Sequence, residues 1–156
     1  MATERRSWGP VLRAAAWILA GLFALALWFF PDAIRRWRQS SGPYALMEKG
    51  CDPSKSACVA RFADGTTVAL AVSPEGAPGA VPLTFTVTAT KAEAVELQGL
   101  DMNMGLLHFP LHEGSRPGEW TATGVLPVCT ADRMRWRADV LLEDRAAGFE
   151  LVSKQP

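Results

Sequence analysis

Three cysteines and two histidines in 156 residues leave little material for a metal cage or a disulfide-dense scaffold. The chain contains no nucleophile elbow, no phosphate-cradling glycine loop and no HExxH pair. No nucleophile sits beside a visible base, so the expectation is a protein that is not an enzyme. Basic excess is also missing where a nucleic acid would need it. Residues 41–156 hold ten Lys and Arg against fourteen Asp and Glu, so no stripe of cations is available to neutralise phosphates. Nucleic acid is therefore excluded as a partner. No internal repeat is present, and no long amphipathic helix follows Arg38.

The first 40 residues have the opposite balance, with six Arg against Glu4 and Asp32. Within them, Ala14 to Phe30 runs for 17 residues without a charge. A helix needs roughly 17–25 such residues to cross a hydrocarbon core. Trp8, Trp28 and Trp37 suit an interfacial belt, and Arg35, Arg36 and Arg38 suit the headgroup level. The expectation is a transmembrane anchor over residues 1–40, spanning the lipid bilayer through 14–30 and followed by one domain over 41–156. A cleaved signal peptide with Ala24-Leu25-Ala26 at its cleavage site stands beside this reading, as does a buried helix. Arginines flank the run on both sides, so charge alone does not orient it.

Cysteine spacing orients it instead. Cys51 and Cys58 bracket Asp52-Pro53-Ser54-Lys55-Ser56-Ala57, a polar loop short enough to bring two Cα atoms within disulfide range. A disulfide between them requires an oxidising compartment, such as the periplasm outside a bacterial inner membrane. Cys129 is left over, as a buried thiol, an intermolecular partner or a metal ligand.

After residue 50 the apolar period is two. Leu83-Thr84-Phe85-Thr86-Val87-Thr88 and Met134-Arg135-Trp136-Arg137-Ala138-Asp139-Val140 alternate cleanly. Val68, Leu70 and Val72 make a third apolar face; Trp120, Ala122, Gly124 and Leu126 make a fourth. Ala63-Asp64-Gly65 marks a tight hairpin between Cys58–Phe62 and Thr66–Val72. Val95–Leu100, Leu106–Leu111 and Phe149–Val152 complete roughly seven or eight short strands. That spacing predicts an all-β, immunoglobulin-like antiparallel sandwich.

What remains is a soft-donor set: Met102 and Met104 in Asp101-Met102-Asn103-Met104-Gly105, with His108, Cys129 and Met134. Thioether and thiolate sulfur select Cu(I) over hard cations. Met102 and Met104 lie two apart on an extended segment and face the same way. Packing explains methionine equally well, because it fills irregular core gaps. Met134 in particular opens the apolar face that contains Trp136. His108 and His112 are four apart, and on one unbroken strand they would stand roughly 13 Å apart on one face.

At these residues the chain resembles the YtkA-like and FixH-like extracytoplasmic domains. The matching stretches are Asp101–Gly105, Gly118-Glu119-Trp120-Thr121-Ala122 and Met134–Val140, within about 60 residues from Pro82 to Leu142. The resemblance implies an anchored immunoglobulin-like sandwich that handles copper and assists assembly of a respiratory oxidase. It makes Met102 and Met104 candidate Cu(I) ligands and an oxidase or another copper carrier the candidate partner. The Cys51–Cys58 pair and the Leu126-Pro127-Val128-Cys129 segment depart from that pattern. Without metal, the same chain reads as a chaperone-like interaction module in which Met102 and Met104 form an adaptable contact surface.

Overall fold

A segment whose side chains alternate can bury only one face, and it does so by pairing with others of its kind. The computed structural model describes residues 13, 15–26, 28, 42–128 and 131–154, and in 42–154 it places ten such strands. They are β1 (Tyr44–Leu46), β2 (Cys58–Arg61), β3 (Thr67–Ser73), β4 (Pro82–Thr88) and β5 (Ala94–Gly99). These are followed by β6 (Leu106–Pro110), β7 (His112–Glu113), β8 (Glu119–Val125), β9 (Arg133–Leu141) and β10 (Ala146–Lys154).

Two five-stranded sheets result. The first has the order β1-β10-β9-β5-β6 and the second β2-β3-β4-β8-β7. Every pair is antiparallel except β1 with β10, which run parallel. The inward residues of both sheets form one core. Val68, Leu70, Leu83, Phe85 and Val87 of the second sheet join Val95, Leu97, Trp136, Val140, Phe149 and Leu151 of the first. Phe109 of β6 stacks on Phe85 of β4 with ring centroids 5.4 Å apart, which ties the sheets together at one side.

The buried polar groups are paired, as a core requires. The Trp136 indole donates to Ser153 Oγ at 3.0 Å, and that hydroxyl donates in turn to the Met134 carbonyl at 3.4 Å. Trp120 donates to the Ala89 carbonyl at 3.1 Å.

The expected strands over 58–62, 66–72, 83–88, 95–100 and 134–140 are present within a residue or two. Three features differ from expectation. Strand β1 is one that alternation over three residues does not announce. Its place is held by Tyr44, whose hydroxyl donates to Asp139 Oδ1 at 2.5 Å across Gly148. Any Cβ at Gly148 would collide with that phenol. The Leu106–Leu111 run also divides: β6 belongs to the first sheet, and the chain crosses after Pro110 so that β7 belongs to the second. His108 and His112 therefore do not share a face; they lie in different sheets. Finally, β10 is longer than the expected 149–152.

The Asp64-Gly65 hairpin closes as its residues dictate. Phe62 N donates to the Thr66 carbonyl at 2.9 Å, Asp64 Oδ1 accepts from Thr66 N at 2.9 Å, and Gly65 takes a φ of +86°.

The chain divides into two units, Met1–Trp37 and Arg38–Pro156. In the first, residues 15–26 are helical, and Trp17, Ile18, Leu19, Leu22, Phe23 and Leu25 are all exposed. Among the described residues no helix is long and apolar enough to cross a membrane. Ala14, Leu27, Phe29 and Phe30 of the expected span lie outside the described residues, as do Trp8, Trp37 and the flanking Arg5, Arg6, Arg35, Arg36 and Arg38.

Candidate metal loop

The loop between β5 and β6 lies at one end of the sandwich, where β8 also finishes and β9 begins. Asp101 fixes its near side. One carboxylate oxygen accepts from Arg135 N at 2.8 Å, and the other accepts from Arg135 Nε at 3.0 Å and Nη2 at 2.7 Å. This charge-assisted, two-pronged contact is the strong form of a surface ion pair. The guanidinium holds the Asp101 carboxyl below the usual carboxylate range, first through its side-chain bonds and then through the backbone amide. The far side is fixed by Asn103, whose Oδ1 accepts from Gly105 N at 3.1 Å while Gly105 takes a φ of +78°.

Between these fixed points the two methionines take different positions. Met102 is 43% exposed. Met104 is half-buried against the core. Neither lies deep between the sheets. The loop folds back over Gly99 so closely that a Cβ there would collide with both the Met102 carbonyl and Met134 Cε. Glycine at 99 thus lets the Met102 backbone approach the Met134 side chain.

The remaining members of the set are dispersed. Met134 faces inward and is 1% exposed, a core side chain beside Trp136. His108 faces outward from β6, with Nδ1 3.0 Å from Glu96 Oε1. Glu96 pairs across strands with both His108 and Asp139, so these three share the outer face of the first sheet. Met134 is five residues from Asp139 on β9, hence on the opposite face and roughly 16 Å along the strand. His108 and Met134 are not brought to one ion. Cys129 lies outside the described residues.

Cys51 and Cys58 are joined, with Cα atoms 5.8 Å apart. The enclosed loop turns on Asp52, whose Oδ1 accepts from Ser54 N at 3.0 Å and Ser54 Oγ at 2.8 Å. Pro53 docks the loop on β3 by accepting from Val72 N at 2.8 Å. The expected disulfide is thus part of the fold.

Two features of this region leave no mark in the local sequence. The Asp101–Arg135 clamp joins residues 34 apart and has no local signature. The second is a groove of about 310 Å³ on the outer face of the first sheet, between Leu46 on β1 and Leu100 beside the loop. Among the described residues no group of three or more His, Cys, Asp or Glu side chains is placed to hold a metal ion. The candidate site therefore rests on thioether sulfur. Comparison with known proteins finds no matching family model, no matching curated protein and no matching solved structure.

Proposed function

We propose that this chain is a membrane-anchored, extracytoplasmic immunoglobulin-like domain that binds Cu(I) and passes it on, serving respiratory oxidase assembly or copper homeostasis. The observation that carries the reading is the placement of Met102 and Met104. Two thioethers stand two residues apart on a clamped loop at the end of the sandwich, one exposed and one half-buried. Soft, neutral sulfur donors suit Cu(I) and bind hard cations poorly. Two thioethers leave room in the coordination sphere, which is what a cargo site needs if its ion is to be taken by a partner. Cys129 is the proposed third donor. His108 and Met134 are left out of the set, since one faces away from the loop and the other is packed into the core.

Strand order supports the immunoglobulin-like part. With the edge strands β1 and β2 set aside and β3 to β10 renamed A, B, C, C′, D, E, F and G, the remaining strands run A-B-E-D and G-F-C-C′, the arrangement of that fold. The disulfide supports an oxidising compartment. The exposed apolar helix over 15–26 supports a bilayer anchor through residues 14–30 in the inner membrane.

The test is anaerobic titration of the full chain in detergent with Cu(I) against a competing chelator. One-to-one uptake is expected, lost in Met102→Leu/Met104→Leu and kept in Met134→Leu. No uptake by the unaltered chain sinks the copper reading.

A second reading has its own observation. Leu46 and Leu100 line the groove and are exposed, and Tyr44 and Leu106 are further exposed apolar side chains of the first sheet. Under this reading the domain is a metal-free module that assists assembly of a membrane complex, with Met102 part of its contact surface.

A further inference from the structure

Four of the five methionines lie among the described residues, and they differ in access to solvent. Met134 is 1% exposed and belongs to the core between the sheets. Met47 is half-buried, and its Sδ accepts a hydrogen bond from Glu150 N at 3.4 Å. Met104 is half-buried against the core. Met102 is the exposed one of the four.

A thioether is oxidised when a sulfur lone pair attacks a peroxide oxygen. With hydrogen peroxide, the O–O bond breaks and a sulfur–oxygen bond forms. Sulfur loses two electrons, and the second oxygen leaves as water. Among thioethers of equal chemistry, access of peroxide to sulfur sets the order of attack. Packing closes that route to Met134 and narrows it for Met47 and Met104. The hydrogen bond from Glu150 also draws electron density from the Met47 sulfur. At Met102 the route is open.

The consequence of oxidation at Met102 is local. The loop is fixed on either side by contacts of other side chains, Asp101 with Arg135 and Asn103 with the Gly105 amide. A sulfoxide at an exposed position adds a polar oxygen where water can solvate it, so the fold is kept. The same change at Met134 would bury that oxygen in the core at the cost of an unpaired polar group. What changes at Met102 is donor chemistry. The sulfur has given one lone pair to oxygen and carries positive charge, and the oxygen is a hard donor, matched to hard cations rather than to Cu(I).

We propose that Met102 is a site of reversible sulfur oxidation, and that its sulfoxide switches off Cu(I) uptake at the methionine loop. The switch rests on the copper reading; the modification site does not. The relation is reciprocal. A lone pair shared with a bound soft ion is withheld from peroxide, so a loaded site is protected and an empty one is open to attack. Methionine sulfoxide reductases reverse the change, which makes it a means of regulation.

The test treats the full, metal-free chain in peroxide-free detergent with hydrogen peroxide and follows each methionine by peptide mass spectrometry. Met102 is expected to oxidise about fivefold faster than Met47 or Met104, with Met134 slowest. Equimolar Ag(I), soft like Cu(I) but inert to peroxide, should slow Met102 about tenfold. The chain oxidised at Met102 should bind Cu(I) about tenfold more weakly with an unchanged circular dichroism spectrum, and a methionine sulfoxide reductase should restore the affinity. Met102→Gln, which fixes a polar oxygen in place of the sulfur, should show the same weakening. Oxidation of Met47, Met104 or Met134 ahead of Met102 overturns the site. A Met102 sulfoxide that leaves Cu(I) affinity unchanged overturns the switch while the copper reading stands. No uptake by the unoxidised chain sinks the copper reading and the switch with it, and the order of oxidation still decides the site.

Discussion

Asp101 grips Arg135 by both its backbone amide and its guanidinium, and so couples the methionine loop to the first residues of β9. Both side chains are substantially exposed, so the pair adds little to global stability. Its effect is local. Arg135→Ala is expected to leave the melting temperature within a few degrees while amide exchange at Met102, Asn103 and Met104 speeds at least tenfold. Hydrogen exchange resolved by residue checks both halves. A large fall in melting temperature with no change in loop exchange contradicts the local role.

Acid sensitivity has a definite sign. Asp64 is held down to about 2, first by its bond to Arg145 and next by the Thr66 amide. Depression in the folded chain means the unfolded chain binds the proton more tightly. The contribution is fully present above the ordinary carboxylate value near ~4 and is lost as pH falls from ~4 toward ~2. Asp101 and Asp144 are shifted the same way by Arg135 and Arg145. Asp64→Asn should lower the melting temperature modestly at neutral pH and flatten its fall over that window, so that the two chains converge near pH ~2. An unchanged acid profile in the variant would refute the assignment.

Phe109 crosses from the first sheet and lies over Gly124 of the second, so close that a Cβ at 124 would meet the ring. The stack of Phe109 on Phe85 depends on that absence. Gly124→Ala forces the ring aside and is expected to cost about 1–3 kcal/mol. Phe109→Leu in the same chain should recover part of that cost by removing the obstructing atoms, a non-additivity that urea unfolding of the two single variants and the double variant measures. Additive effects would show that the ring moves away freely.

Alternation made most of the sandwich legible. Leu83-Phe85-Val87 and Met134-Trp136-Ala138-Val140 each carry enough period-two signal to fix a strand and its buried face. Asp64-Gly65 fixed a hairpin because glycine takes the positive φ that the turn demands. Other features depended on partners far along the chain. Tyr44-Ala45-Leu46 is too short to show a period and becomes a strand only because Gly148 leaves space for the Tyr44 ring. The crossing after Pro110 separates His108 from His112, although their spacing looks like one face. Of the soft-donor set, Met102 and Met104 fall in the loop between β5 and β6, one exposed and one half-buried against the core. Met134 followed its alternating neighbours into the core, and His108 followed the pleat outward, because side-chain direction along a strand is set by register.

The Cys51–Cys58 bridge bears on both the fold and the compartment. It closes a loop whose Asp52 turn and Pro53–Val72 hydrogen bond already hold the two ends near each other. A loop this short removes unfolded-chain entropy worth about 2–3 kcal/mol. Cys58 is fully buried, so alanine also sacrifices some packing there. Cys51→Ala/Cys58→Ala is therefore expected to lose about 2–4 kcal/mol in urea unfolding under oxidising conditions. Reduction of the unaltered chain should reproduce only the entropic part of that loss, because both sulfurs remain to fill the core. Equal stability with and without reductant would mean that the loop's own hydrogen bonds suffice, and the disulfide would then cease to argue for an oxidising compartment.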